Sequence, residues 1–231
     1  EKQRMEEELN LARSIQQGLL PSKLPDLERF EIAAQNLSSR QVGGDYYDVI
    51  RISHYLYGIA IADVSGKGAG AALLMANLQA SLQALATGEL PIPNVVERIN
   101  ELIYRNTGLD KFITFLYGVL DLHESTFTYC NAGHNPPYRV NRAGEVQELS
   151  VGGLILGMMP GIHYDTETIT LEPGDMIVMY TDGITEAMNA GEEEFGQEQL
   201  EEIVRMKREL PAKQMMDYVV EQVNRFSENM P

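Results

Sequence analysis

Three aspartates stand where apolar runs meet glycine-rich turns. Asp45 follows Gly43-Gly44, Asp63 closes the run YLYGIAIADV just before a turn containing Gly66, Gly68 and Gly70, and Asp182 ends MIVMYTDG beside Gly183. Carboxylates at such ends are able to hold metal ions or ligand hydroxyls. If the runs DYYDVIRI and YLYGIAIADV pair as a hairpin, the start of one and the end of the other share an edge, so Asp45 and Asp63 are expected to be neighbours. Crowded carboxylates persist by taking up protons or by binding cations. Hard oxygen donors with no His or Cys cluster nearby suit Mg²⁺ or Mn²⁺ over Zn²⁺. Two such ions would acidify a bridging water and clamp a phosphoryl group, whereas a phosphate dianion could not approach three bare carboxylates. Taken singly, each aspartate is also an ordinary turn or cap residue, and Asp182-Gly183 is a common turn dipeptide.

The elements that would position these residues follow from apolar spacing. Residues 2–20 read as a helix with Met5, Leu9, Ala12, Gln16 and Leu19 on one stripe, ended by Pro21 and Pro25. That stripe is too short for a strong coiled coil alone; it is either the end of a longer one arriving from upstream or a helix packed on its own domain. FEIAAQNL, DYYDVIRI and the central run then read as strands, with a turn at Ser53-His54. Both alternating faces of the central run are apolar, which predicts a strand covered on both sides. Ala71, Leu74, Leu78, Leu82 and Leu85 mark one helix, and Val95, Val96, Ile99, Leu102 and Ile103 a second. Strands return in FITFLYGVLDL, TFTYCNAG, YRVN, HYDTETITL and MIVMYTDG, and helical patterns around residues 200–206 and 215–226 close the chain. Strand pairs joined by short turns, with helices inserted in blocks, predict antiparallel sheets covered by helices.

Composition narrows the function classes. The 231 residues are 44% hydrophobic, ordinary for a globular chain with a sizeable core. Acidic residues outnumber basic ones 34 to 18, which argues against an extended nucleic-acid or anionic-membrane surface. Cys130 has no second cysteine to pair with, which favours a reducing cytoplasm and a packing role. No apolar run approaches the ~20 residues needed to cross a bilayer. Because residue 1 is Glu, the chain is expected to be a piece of something longer.

Gly66, Gly68 and Ala71 satisfy a dinucleotide-binding fingerprint, but helix leads to helix with no second parallel strand. A phosphate-binding Walker loop fails because Gly68 follows Lys67 where Ser or Thr is required. His134 could donate a proton, with a structural role favoured; Arg40 and Lys67 could meet phosphate or be solvated charge; Met158-Met159 could face a partner, with core packing favoured.

As a set, GGDYYD (43–48), ADVSGKG (62–68), NAGHNPP (131–137), GGLILG (152–157) and YTDGITEAMN with GEEEFG (180–196) resemble the SpoIIE-like, RsbU-type branch of the PPM metal-dependent serine/threonine phosphatases. LARSIQQGLLPSKLP (11–25) resembles that branch's linker helix. The resemblance implies an α/β fold, an α-β-β-α sandwich of two mainly antiparallel sheets flanked by helices. An N-terminal linker helix over residues 1–22 would precede the phosphatase domain of residues 23–231. It implies two Mn²⁺ or Mg²⁺ ions, with Asp63 bridging them, the Val64 carbonyl and Asp45 completing one, and Asp182 holding the other. Asp48 would support from outside the metal shell. A metal-bound water would attack phosphoserine or phosphothreonine in a STAS-domain anti-sigma-factor antagonist, within bacterial partner-switching signalling. An upstream sensory domain and a homodimer through the linker helix are the expected controls. The family's Asp-Asp-x-Thr strand does not follow the last helix, so truncation, weak occupancy of the Asp182 ion and reduced activity are expected. The alternative is a catalytically weak or inactive binding module on the same fold.

Overall fold

The computed structural model describes residues 14–37, 43–108 and 111–227. The chain forms two compact units, one from Glu1–Leu24, Asn36–His134 and Val151–Thr170, the other from Pro25–Gln35, Asn135–Ser150 and Leu171–Pro231. Most of the 1–22 helix expectation, Arg40 and residues 228–231 lie outside the described residues. Residues 14–17 are helical.

The first unit is built on a six-stranded sheet in the order β1-β2-β3-β4-β7, with β8 also pairing with β4. Its strands are β1 (Tyr46–Arg51), β2 (Leu56–Val64), β3 (Ile113–Asp121), β4 (Thr126–Ala132), β7 (Gly152–Gly153) and β8 (Glu167–Thr170). All pairs are antiparallel except β4 with β7. The hairpin expected of the first two runs is present, with Tyr46 opposite Ala62 and Arg51 opposite Tyr57. Residues of both alternating faces of β2 are buried, as two-sided apolarity requires.

Two helices pack on this sheet, α1 (Ala69–Leu85) and α2 (Ile92–Asn106). Ala71, Leu74, Met75, Leu78 and Leu82 of α1, at three- and four-residue steps, meet Val95, Val96, Ile99 and Ile103 of α2 in one core with Ala60, Ala62, Val64 and Phe115. Leu102 is half-exposed rather than part of that stripe. On α2 a second set of side chains grips the loop after β7. Asn100 accepts from the Gly157 N–H at 2.9 Å and donates to the Met159 carbonyl at 2.9 Å, while Glu101 accepts from the Gly161 N–H at 2.8 Å. Glu97 lies 3.1 Å from the His163 imidazole. Met158 and Met159 are 56% and 49% exposed, so the core-packing expectation for this pair is wrong. The loop's backbone is held by α2, which leaves these side chains outside the core.

The second unit has a three-stranded antiparallel sheet, β6 (Val146–Glu148), β5 (Tyr138–Val140) and β9 (Met176–Val178), in that order. Helices α3 (Asp182–Thr185), α4 (Gln197–Met206) and α5 (Ala212–Ser227) belong to the same unit. Tyr138, Val140, Tyr180, Phe195, Leu200, Val204, Met215, Val219 and Val223 form its core. Arg139 of β5 pairs with the nearly buried Asp175 carboxylate at 2.7 Å, anchoring the turn before β9.

Two strand expectations need correction. FEIAAQNL forms no strand beyond an isolated Leu27–Phe30 bridge. Its alternation breaks at Ala33-Ala34, too soon to specify a register. Glu31 instead accepts the Ala212 N–H at 2.9 Å at the start of α5. The run MIVMYTDG stops being strand at Val178, and Asp182 opens α3 rather than ending β9. Among the described residues no helix is long and apolar enough to cross a membrane.

Candidate active site

The site is assembled from the register of the β1-β2 hairpin. With Tyr46 opposite Ala62, one further step sets Asp45 against Asp63 and a second sets Gly44 against Val64. The second step is confirmed sterically: a Cβ on Gly44 would lie 2.6 Å from the Val64 carbonyl oxygen and 3.0 Å from its Cβ. Only glycine lets the backbone pass this closely, so the motif Gly43-Gly44-Asp45 serves to lay one strand's start against the other's end. The third face is supplied by β3, where Thr114 is opposite Asp63 and Ile113 opposite Val64.

Several bonds hold this end of the sheet. The Thr114 hydroxyl lies 3.4 Å from the Asp63 carbonyl and shares a hydrogen bond with His134 Nδ1 at 2.9 Å. His134 is buried and fixed by Asn131, which accepts its N–H at 2.7 Å and donates to its carbonyl at 3.0 Å. Beyond Val64, Ser65 and Phe112 clasp each other. The Ser65 N–H donates to the Phe112 carbonyl at 3.0 Å, and the Phe112 N–H to Ser65 Oγ at 2.9 Å. Gln16 donates to the Gly43 carbonyl at 2.5 Å. Sequence reading placed Gln16 on a helical stripe, and no local signal marks its long-range bond.

Asp48 does not join Asp45 and Asp63. It is buried, accepting from Tyr46 Oη at 2.8 Å, Gln83 Nε2 at 2.6 Å and the Val49 N–H at 2.8 Å. This carboxylate therefore ties β1 to α1, and burial together with the Asp48 charge pushes the Tyr46 phenol well above its ordinary value. Cys130 is fully buried, and burial pushes its thiol up to about 12, so it packs and is no nucleophile at neutral pH. Lys67 is exposed.

Asp182 belongs to the second unit. Its carbonyl accepts from the Glu186 N–H at 2.7 Å and from Thr185 Oγ1 at 3.3 Å, closing the α3 turn. The GEEEFG segment folds back on this turn: the Phe195 N–H donates to Ala187 O at 2.8 Å and the Gly196 N–H to Thr185 O at 2.9 Å. Phe195 is buried and meets Phe226 edge to face, with ring centroids 5.5 Å apart. The two halves of that long motif thus form one support for Asp182.

The donors gathered in the first unit are two carboxylates and the Val64 carbonyl, a hard oxygen set that fits Mg²⁺ or Mn²⁺. Among the described residues no group of three or more His, Cys, Asp or Glu side chains is arranged as a metal site. Gly44→Ala is expected to weaken Mn²⁺ binding about tenfold or more, by displacing that carbonyl, with far-ultraviolet circular dichroism unchanged. Titration calorimetry checks it.

The fold is that of PP2C-type phosphatase domains. The SiaA-PP2C domain of Pseudomonas aeruginosa matches with a TM-score of 0.83 over 100% of this chain and 93% of that one, at 20% identity. A family model described as Stage II sporulation protein E (SpoIIE) matches residues 53–231, and the chain belongs to that family of PPM phosphatases. Phosphoserine phosphatase RsbU of Bacillus subtilis is 34% identical over 80% of this chain, and Protein IcfG of Synechocystis sp. is 31% identical over 84%. The chain spans 55% of the length of the first of these relatives and 35% of the second.

Proposed function

We propose that this chain is the catalytic domain of a Mn²⁺- or Mg²⁺-dependent phosphoserine/phosphothreonine protein phosphatase. Its substrate is a phosphorylated STAS-domain anti-sigma-factor antagonist in cytoplasmic partner-switching signalling, under an upstream sensory domain and with dimerisation through the N-terminal helix. The observation that carries the activity is the register that sets Tyr46 opposite Ala62 and brings Gly44 against Val64, in a SpoIIE-family chain.

Asp45, Asp63 and the Val64 carbonyl would hold a divalent ion at this strand end. Asp182, in the second unit, is assigned as a metal ligand by its motif alone. When bound, the ions supply Lewis acidity that polarises a phosphoryl oxygen and acidifies water. The residues around them keep the donors in place. Gly44 keeps the Val64 carbonyl uncovered, and Thr114, tied to His134, braces the Asp63 backbone. Rigid placement of donors before the reaction is how such a site lowers a barrier without reorganising.

The test is phosphate release from a phosphoserine STAS-domain protein with Mn²⁺, and again after chelation. Release in Mn²⁺ that falls to background with the chelator supports the reading. Binding of the phosphoprotein without release overturns it in favour of a binding module.

A further inference from the structure

The second cation beside the Asp63 edge is one that sequence reading did not single out. Lys111 immediately precedes the Phe112–Ser65 clasp, at the same end of the sheet as Asp45 and Asp63. Its side chain folds over the glycine turn: Nζ lies 2.7 Å from the place a Cβ would take on Gly66, and among the described residues nothing else from outside the turn comes within 4 Å of it. Gly66 has φ +91°, in the left-handed region, so the turn conformation and the space for the ammonium both require glycine there. No hydrogen bond or ion pair of the ammonium is formed among the described residues, in a chain with 34 acidic and 18 basic residues.

We propose that Lys111, seated over the Gly66 turn, is the cation that receives the phosphoryl group of the substrate beside the Asp45–Asp63 edge. The site is a phosphate-monoester subsite, and the assignment rests on the phosphatase reading. A lysine ammonium binds phosphate as a compact point charge, needing no bidentate geometry. Half-burial over a backbone turn restricts where that charge is presented. The clasp between Ser65 and Phe112 fixes Lys111 relative to the strand end that carries Asp63. Lys67, one residue from Gly66, points its exposed side chain at solvent and is the competing candidate.

The experiment measures two quantities in Mn²⁺ for the full chain and for Lys111→Ala, Lys111→Arg and Lys67→Ala. One is the affinity for inorganic phosphate, by calorimetry; the other is KM and kcat on the phosphoserine STAS-domain protein. Lys111→Ala is expected to weaken phosphate binding and raise KM by about tenfold, with kcat within about twofold and an unchanged melting temperature. Lys111→Arg, which keeps the charge, is expected to stay within about threefold of the parent. Undiminished phosphate binding in Lys111→Ala overturns the proposal, as does a larger loss in Lys67→Ala, which moves the role to Lys67. Absence of turnover in the parent with Lys111-dependent phosphate binding retained defeats the phosphatase reading and leaves the subsite standing. A parent that binds no phosphate defeats the subsite.

Discussion

Asp63→Asn is expected to lower Mn²⁺-dependent phosphate release by about a thousandfold or more, because in the proposed site it removes a carboxylate that would hold the metal. The side chain keeps its shape, so a purely structural turn aspartate would show almost no loss. The metal-free protein gives a second readout with the opposite sign. The register with Tyr46 opposite Ala62, carried one step further, sets Asp45 against Asp63, and like charges at that spacing repel. Replacing one by a neutral amide is therefore expected to leave the melting temperature of the chelated protein unchanged or slightly higher, while cancelling the rise that Mn²⁺ gives the parent. Retained activity, or a sharp fall in the metal-free melting temperature, would assign Asp63 to the turn alone.

Gly152→Ala is expected to destabilise the first unit by about 3 kcal/mol or more, a fall in melting temperature of roughly 10 °C. The reason is backbone, which cannot rotate away. A Cβ there would stand 2.0 Å from the Asn131 carbonyl oxygen and 2.5 Å from its N and C, across the parallel β4-β7 pair. Relief requires separating β7 from β4, and Asn131 is also the residue that fixes His134. Gly70, inside α1 with open space around its would-be Cβ, is the contrast: Gly70→Ala is expected to stabilise by up to about 1 kcal/mol. Thermal and urea unfolding of the two variants side by side checks the pair, and equal effects would refute the steric account.

The β1-β2 hairpin and the adjacency of Asp45 and Asp63 were legible in the sequence because they need only local information. An apolar run with two covered faces, a short turn and a second run determine a register, and the register determines which residues share an edge. The helical spans were legible for the same reason, since α1 (Ala69–Leu85) contains the whole stripe from Ala71 to Leu85 that the spacing marks. Contacts with long sequence separation were not. Gln16 fits a helical stripe equally well whether or not its amide reaches Gly43. Asn100 lies on the buried face of α2, where it looks like an interruption of the pattern until Gly157 and Met159 meet it. The need for glycine at 44 and 152 arises from strands that approach through space, and no local propensity encodes that approach. FEIAAQNL shows the reverse error, in which a brief alternation suggested a strand and the segment instead serves α5 through Glu31.

The grip of α2 on the loop after β7 runs through backbone groups of Gly157, Met159 and Gly161 and through His163. The side chains at 158 and 159 take no part in that hold, so inheritance can rewrite them without unlearning the fold. Exchange of the side chains at 158 and 159 leaves every one of these bonds with both partners, whereas loss of the Asn100 amide removes two at once.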